Sequence, residues 1–357
     1  MGGCELRRAP FGAAPDGSAV ELYTLTNGAG MSADVSTYGG LVVALRVPDR
    51  AGRIGDVVLG YDALAGYLAD NSPYLGALVG RYANRIARGE LLVDGAWYAL
   101  ERNDGEHHLH GGRGGFHTRL WSARMLQDGR RAGVALHRES PDGEEGYPGN
   151  LSVTVTFTVS DENELGIDYT ATTDRATVCN LSHHGYFNLD AGARDDVLGH
   201  VLTLNAGRFT PVGEGLIPTG ELRSVRGTPM DFTSPTTVGA RITSDDEQLA
   251  LGRGYDHNWV LEREGAGLFL AARVSGPVLG RFMEVLTTEP GLQFYSGNFL
   301  DGTITGKGGR VYGKRAGLCL ESQHYPDSPH QPSFPSTLLR PHETYRSTTV
   351  YRFGVEP

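Results

Sequence analysis

LSVTVTFTVSDENELGIDYTATT, Leu151 to Thr173, carries the clearest structural signal in the chain. Its first part alternates with period two: Leu151, Val153, Val155, Phe157 and Val159 fall on one face, with Ser152 and threonines on the other. Successive side chains of a strand point to opposite faces, so this pattern buries one face and wets the other. Leu165 to Thr173 repeats it, and the intervening Asp-Glu-Asn is turn chemistry, which predicts an antiparallel hairpin.

The same reading extends outward. LTLNAGRFTPV (Leu202–Val212), GLFLAARV (Gly267–Val274), FMEVLTTE (Phe282–Glu289), QFYSGNF (Gln293–Phe299) and YRSTTVYRFGV (Tyr345–Val355) all read as strands. Helical periodicity is confined to DALAGYLADN (Asp62–Asn71) and VGARI from Val238. Many strands separated by Gly, Pro, Asn and Asp turns predict an all-β protein, a large antiparallel β-sandwich with few short helices. With no repeat, low-complexity tract or linker, a single domain over residues 1–357 is expected. The 51 glycines, about twice the usual ~7%, follow no period and suit frequent tight turns.

Composition excludes several classes. A net charge of −10 argues against a phosphate-backbone partner, which needs a basic footprint. No apolar run approaches the ~18 residues of a membrane helix. MGGCELRRAP has no apolar core of a signal peptide, and Leu6 stands where myristoylation wants Ser or Thr. Cys4, Cys179 and Cys319 form an odd set without CxxC, the last two in apolar strand-like runs. They read as core thiols in a reducing compartment, and a cytoplasmic protein is expected. GGRGGF (Gly111–Phe116) and GTITGKGGR (Gly302–Arg310) miss the dinucleotide and P-loop registers, and no GxSxG elbow occurs.

Chemistry-bearing residues gather in six places. HHLHGG holds His107, His108 and His110; on a strand the last two would share a face. LSHHGYFNL holds His183 and His184. Such clusters raise a zinc hypothesis, which the absence of HExxH and of a third ligand at a telling spacing disfavours. GRYANRIARG places Asn84 and Arg85 between glycines, and a guanidinium fork suits hydroxyl or carboxylate oxygens. Asp256 in RGYDHNWVL can accept from two adjacent hydroxyls, or simply form an Asx turn. Gln293 lies in EPGLQFYSGNFLDG among three aromatics that suit a sugar, or an ordinary core strand. Finally, Glu321 ends the apolar GLCL and precedes a proline-stiffened run, LESQHYPDSPHQPSFPSTLLRP (Leu320–Pro341). A carboxylate where a buried strand meets a loop is costly unless it is used or paired. Together these describe a cleft for a neutral, polyhydroxylated ligand.

In this order, GRYANRIARGE, HLHGG, HHGYFNL, GYDHNWVL, TTEPGLQFYSGNFLDG and the Leu320–Pro341 run closely resemble the aldose 1-epimerase (galactose mutarotase) family, from about Tyr38 to Phe353. The resemblance implies a large β-sandwich that interconverts α and β anomers of aldoses, chiefly galactose and glucose, without a metal or organic cofactor. It implies Glu321 as general base and His184 as general acid. Asn84, Arg85, His110, Asp256 and Gln293 match sugar-binding positions, and Tyr186 lines the segment of His184. His183 stands where Asn is frequent in the family, and Gly185 where Ser or a small apolar residue is frequent. The expected partner is a small monosaccharide, with no nucleic acid and no membrane, bound by a monomer or weak homodimer. A β-sandwich glycoside hydrolase using Glu321 and Asp256 is the enzymatic rival, and a non-catalytic sugar-binding module the other. The Asp327–Pro335 loop is expected either to contact substrate or to hold Glu321 in place.

Overall fold

The computed structural model describes residues 3–69, 73–127, 131–263, 265 and 267–356. The predicted hairpin is present as strands Leu151–Ser160 and Glu164–Thr173, paired from Leu151 opposite Thr173 to Val159 opposite Leu165. The turn closes through Asn163 at φ 58°, a left-handed conformation that Asn tolerates. Leu151, Val153, Val155, Phe157 and Val159 are all buried, as the alternation requires.

This hairpin lies within a nine-stranded antiparallel sheet. Its order runs Ser122–Gln127, Arg131–Ser140, the hairpin, Tyr345–Val355, Arg281–Thr287, Phe269–Ser275, Val201–Leu204 and Thr236–Thr237. Two five-stranded sheets pack with it. One is N-terminal: Glu5–Ala13, Ala19–Thr26, Ser32–Ser36, Val42–Pro48 and Ile54–Asp56. The other, in spatial order, is Arg223–Ser224, Arg208–Thr210, Asp256–Val260, Gly291–Tyr295 and Cys319–Gln323. Residues of all three sheets, among them Leu25, Val35, Phe157, Tyr351, Trp259, Phe294 and Leu320, form one buried apolar cluster. The apolar faces of all three therefore leave water together, which is what makes the architecture a sandwich.

Three expectations change in detail. LTLNAGRFTPV is two strands, not one. It breaks at 205–207, so that Val201–Leu204 serves the long sheet and Arg208–Thr210 the second five-stranded sheet. Asn205 and Gly207 are turn formers, and their amides bond to Ala271 O and Glu262 Oε1 instead of to one ladder. The Asp62–Asn71 helix forms over Leu64–Ala69, its last two predicted residues lying outside those described, and VGARI yields only one 3₁₀ turn, Val238–Ala240. A helix over Glu247–Gly252 escaped the reading, although Asp246 caps it by accepting from Gln248 N and Leu249 N.

Candidate active site

The second five-stranded sheet divides its side chains by parity. His257, Trp259, Leu292, Phe294 and Leu320 turn toward the core. Asp256, Asn258, Gln293, Tyr295, Cys319 and Glu321 share the opposite face, with Asn258 opposite Gln293 and Gln293 opposite Glu321 across the strands. Glu321 is thus the middle residue of Cys319–Gln323, not a residue at the strand end as its sequence context suggested. Tyr351 of the long sheet ties this strand down by donating its hydroxyl to Leu320 O at 3.2 Å.

Two further segments meet that face. Ser182–His184 pairs with Ala77–Val79, and Ser182 Oγ donates to Ser322 O at 2.9 Å, which sets His184 beside Glu321. Arg85–Ile86 pairs with His108–Leu109. At the end of that pair, Asn84 (φ 67°) and His110 (φ 51°) exchange bonds: Asn84 N donates to His110 Nδ1, and His110 N donates to Asn84 O, each at 3.1 Å. Non-glycine residues in this conformation hold strain of the kind that gathers at functional sites. The glycines of HLHGG allow the approach: a Cβ on Gly111 would lie 1.8 Å from Gly80 O. Because His110 leaves the strand, His108 and His110 do not share a face as expected. His108 is buried elsewhere, between Glu101 O and the Tyr147 hydroxyl, each at 2.6 Å.

The result is a cavity of about 270 Å³ walled by Asn84, Arg85, His110, His184, Tyr186, Asp256 and Glu321. Seven of the eight residues singled out from the sequence line it. The eighth, Gln293, stands behind Asp256 and donates Nε2 to Asp256 Oδ1 at 2.7 Å. Arg85 Nε is held by Asp104 at 2.8 Å. His184 Nε2 lies 3.8 Å from Glu321 Oε1, both side chains being almost fully buried. Burial pushes the Glu321 carboxyl well up, the charge of Asp256 adds to this, and Arg85 opposes it. Burial lowers His184 to about 3 and holds His110 well below its usual value. Both shifts favour the uncharged forms of the two side chains.

The reading missed Tyr74, Tyr295, Phe299, Leu300, Thr303 and Ile304 on the walls. Tyr74 packs its ring against His110, His117 and His184 at 4.7, 4.6 and 5.7 Å. Nothing in SPYLG announces this; Tyr295 and Phe299 belonged to the aromatic run already noted, whose Phe294 faces the core. No residue of Asp327–Pro335 lines this cavity. Asp327 N donates to Arg85 O at 2.8 Å and Asp327 Oδ1 accepts from Ala87 N at 2.8 Å, so the loop staples the Arg85 strand from behind. His183 and Gly185 also stay off the walls: His183 turns into the core, its Nε2 3.0 Å from Gly76 O.

Ligand atoms of His110, His184 and Glu321 all lie within 4.8 Å of one another, so a metal must be weighed. Metal-bound histidines almost always donate their other ring N–H to an acceptor. Here His110 Nδ1 instead accepts an N–H, and His184 Nδ1 faces the thiol of Cys319 at 3.6 Å. With Nδ1 accepting, neutral His110 carries its hydrogen on Nε2, toward the cavity. That polarity suits a hydroxylated organic ligand better than a cation.

A buried histidine beside a buried carboxyl, a guanidinium and aromatic walls on a β-sandwich are the surroundings that suit a carbohydrate ligand. The aldose 1-epimerase family model matches residues 21–352, and the chain belongs to that family, a family of isomerases. It is 46% identical to the galactose mutarotase of Homo sapiens over 98% of both chains. It is 41% identical to the aldose 1-epimerase of Escherichia coli, over 96% of this chain and 98% of the other. Among solved structures it is similar to the galactose 1-epimerase of Lactobacillus acidophilus, with a TM-score of 0.87, 28% identity and 99% of both chains covered.

Proposed function

We propose that this protein interconverts the α and β anomers of a free aldohexose, galactose or glucose, by acid–base ring opening and reclosure. The observation that supports this most is the His184–Glu321 pair, 3.8 Å apart and buried at one wall of a cavity built for hydroxyls. Ring opening needs the C1 hydroxyl proton removed and a proton delivered to the ring oxygen. Glu321 takes the first and His184 gives the second; rotation about C1–C2 then presents the other carbonyl face, and reclosure reverses the roles. The cycle needs one proton held by the pair. Sugar hydroxyls donating to Glu321, together with Arg85, favour its transfer to His184 as substrate binds. Arg85 and His110 Nε2–H face the oxygens on which charge develops, Asp256 accepts from substrate hydroxyls, and Gln293 orients Asp256. No leaving sugar departs, so no second carboxylate is required, which separates this reading from a hydrolase. The partner is a free monosaccharide, the protein a cytoplasmic monomer or weak homodimer.

Polarimetry on freshly dissolved α-D-galactose and α-D-glucose tests the activity, with aryl glycosides as the hydrolase control. Glu321→Gln and His184→Asn should each lower kcat by roughly 10²–10⁴-fold. Undiminished mutarotation in either variant would remove that residue from the mechanism.

A further inference from the structure

Arg85 is the only arginine or lysine among the described residues lining the cavity, and burial holds His110 and His184 there in their neutral forms. A lone guanidinium on such a wall attracts anions, since its fork matches carboxylate and phosphate oxygens. The charge of Arg85 is already answered, however. Its Nε donates to Asp104 Oδ2 at 2.8 Å, which leaves the two terminal nitrogens for a ligand and sets a carboxylate beside them. The turn that carries Asp104 is firmly held. Asp104 N donates to His107 O at 3.1 Å and His107 N to Asp104 O at 2.9 Å, while the Asn103 side chain grips Leu109 N and Leu109 O at 2.8 and 2.9 Å. The adjoining groove shares Arg85 with the cavity. It is lined by Asp104, Glu106 and Glu214, and adds no further arginine or lysine among the described residues.

We propose that Asp104 is a positioning residue for Arg85 and, through it, makes the cavity select neutral aldoses over anionic ones such as uronic acids and sugar phosphates. The pair presents N–H donors with its net charge offset. Those donors still bond hydroxyl oxygens, whereas an anionic sugar meets no uncompensated cation and faces Asp256 and Asp301 on the same walls. Fold stability does not account for the pair. The Asp104 side chain is 38% exposed, and an ion pair that open to solvent adds little to folding. Its charge is nevertheless felt within the site: burial raises the Asp256 carboxyl, Arg85 opposes this, and Asp104 adds to it.

The inference rests on the cavity binding a free aldose, and a binding measurement separates the two claims. Titration calorimetry at low salt compares D-galactose with D-galacturonate, the same ring carrying a carboxylate at C6. The parent protein should bind galactose and prefer it. Asp104→Asn keeps an acceptor for Arg85 Nε and removes the charge. Its affinity for galacturonate relative to galactose should rise about 5-fold or more, and the gain should shrink at about 0.5 M NaCl. Asp104→Glu keeps the charge and should hold that ratio within about 2-fold of the parent. An Asp104→Asn protein that binds galactose with the parent ratio would overturn the proposal. So would Asp104→Glu gaining as much as Asp104→Asn, since the effect would then owe nothing to charge. If the parent protein binds no galactose, the sugar reading of the cavity fails first, and this inference with it.

Discussion

His183 and Gly185 flank the proposed acid, and each explains the other. A Cβ added at Gly185 would lie 2.9 Å from His183 Cε1 and 3.1 Å from Phe187, closer than side chains tolerate. The imidazole at 183 fills the space that a smaller residue would leave to a side chain at 185. Gly185→Ser alone should therefore destabilise the protein by about 1–3 kcal/mol in denaturant unfolding. Pairing it with His183→Asn should recover part of that loss; a fully additive double-mutant cycle would show that the two positions do not compete. Tyr74 matters at the same scale. Tyr74→Ala frees the rings of His110 and His184, and should lower kcat/KM in polarimetry more than it lowers the melting temperature. A variant with unchanged kcat/KM would show that the histidines hold their orientation without it.

At the scale of elements, the site is an intersection. One strand carries Glu321 and Cys319, a short one carries His184, and a two-residue ladder carries Arg85. Only the first belongs to a sheet of more than two strands, so the others depend on fastening from outside. Asp327 supplies that for Arg85, bonding on either side of Ile86. Asp327→Ala leaves the Ala87 amide unpaired and should cost about 1–3 kcal/mol. Because it loosens the segment proposed to bind sugar and not the proposed acid–base pair, KM for galactose should rise while kcat changes little. Equal effects on both would place the loop's influence on the chemistry itself. Strand existence and alternation were legible here, since LSVTVTFTV and GLCL carry their burial in their composition. Strand ends were not: QFYSGNF stops at Tyr295 because Ser296 and Asn298 bond across to Tyr255, a partner about 40 residues distant in sequence.

At the scale of the whole molecule, buried histidines govern the response to acid. Burial lowers His108, His117 and His183 to about 4, and His184 and His257 to about 3. Unfolded, each protonates near 6.5, so the unfolded chain binds more protons once pH falls below that value. Stability should hold above about pH 7 and decline from about 6.5 down to about 4, by on the order of 3 kcal/mol for each histidine fully titrated. Urea unfolding across that range checks it, and a flat midpoint would contradict neutral buried imidazoles. Activity follows a different rule. On the proposed mechanism it needs the one-proton form of the His184–Glu321 pair. The rate should therefore fall in acid as a second proton enters, and in alkali as the last one leaves, with limbs that belong to the pair. The raised carboxyl sets the alkaline limb above the ordinary carboxylate range.

The chain by itself determined the all-β class and the central hairpin, and it named seven of the residues that line the cavity. Period-two burial and turn residues are local properties, and the motifs keep their order along the chain. Tertiary structure alone decided which nitrogen of His184 faces Glu321, that Cys319 stands behind it, that Gln293 serves Asp256, and that the proline loop grips Arg85. Each of those contacts joins residues that are distant in sequence or lie on different sheets. Their geometry exists only once the apolar faces of three sheets have closed on one another.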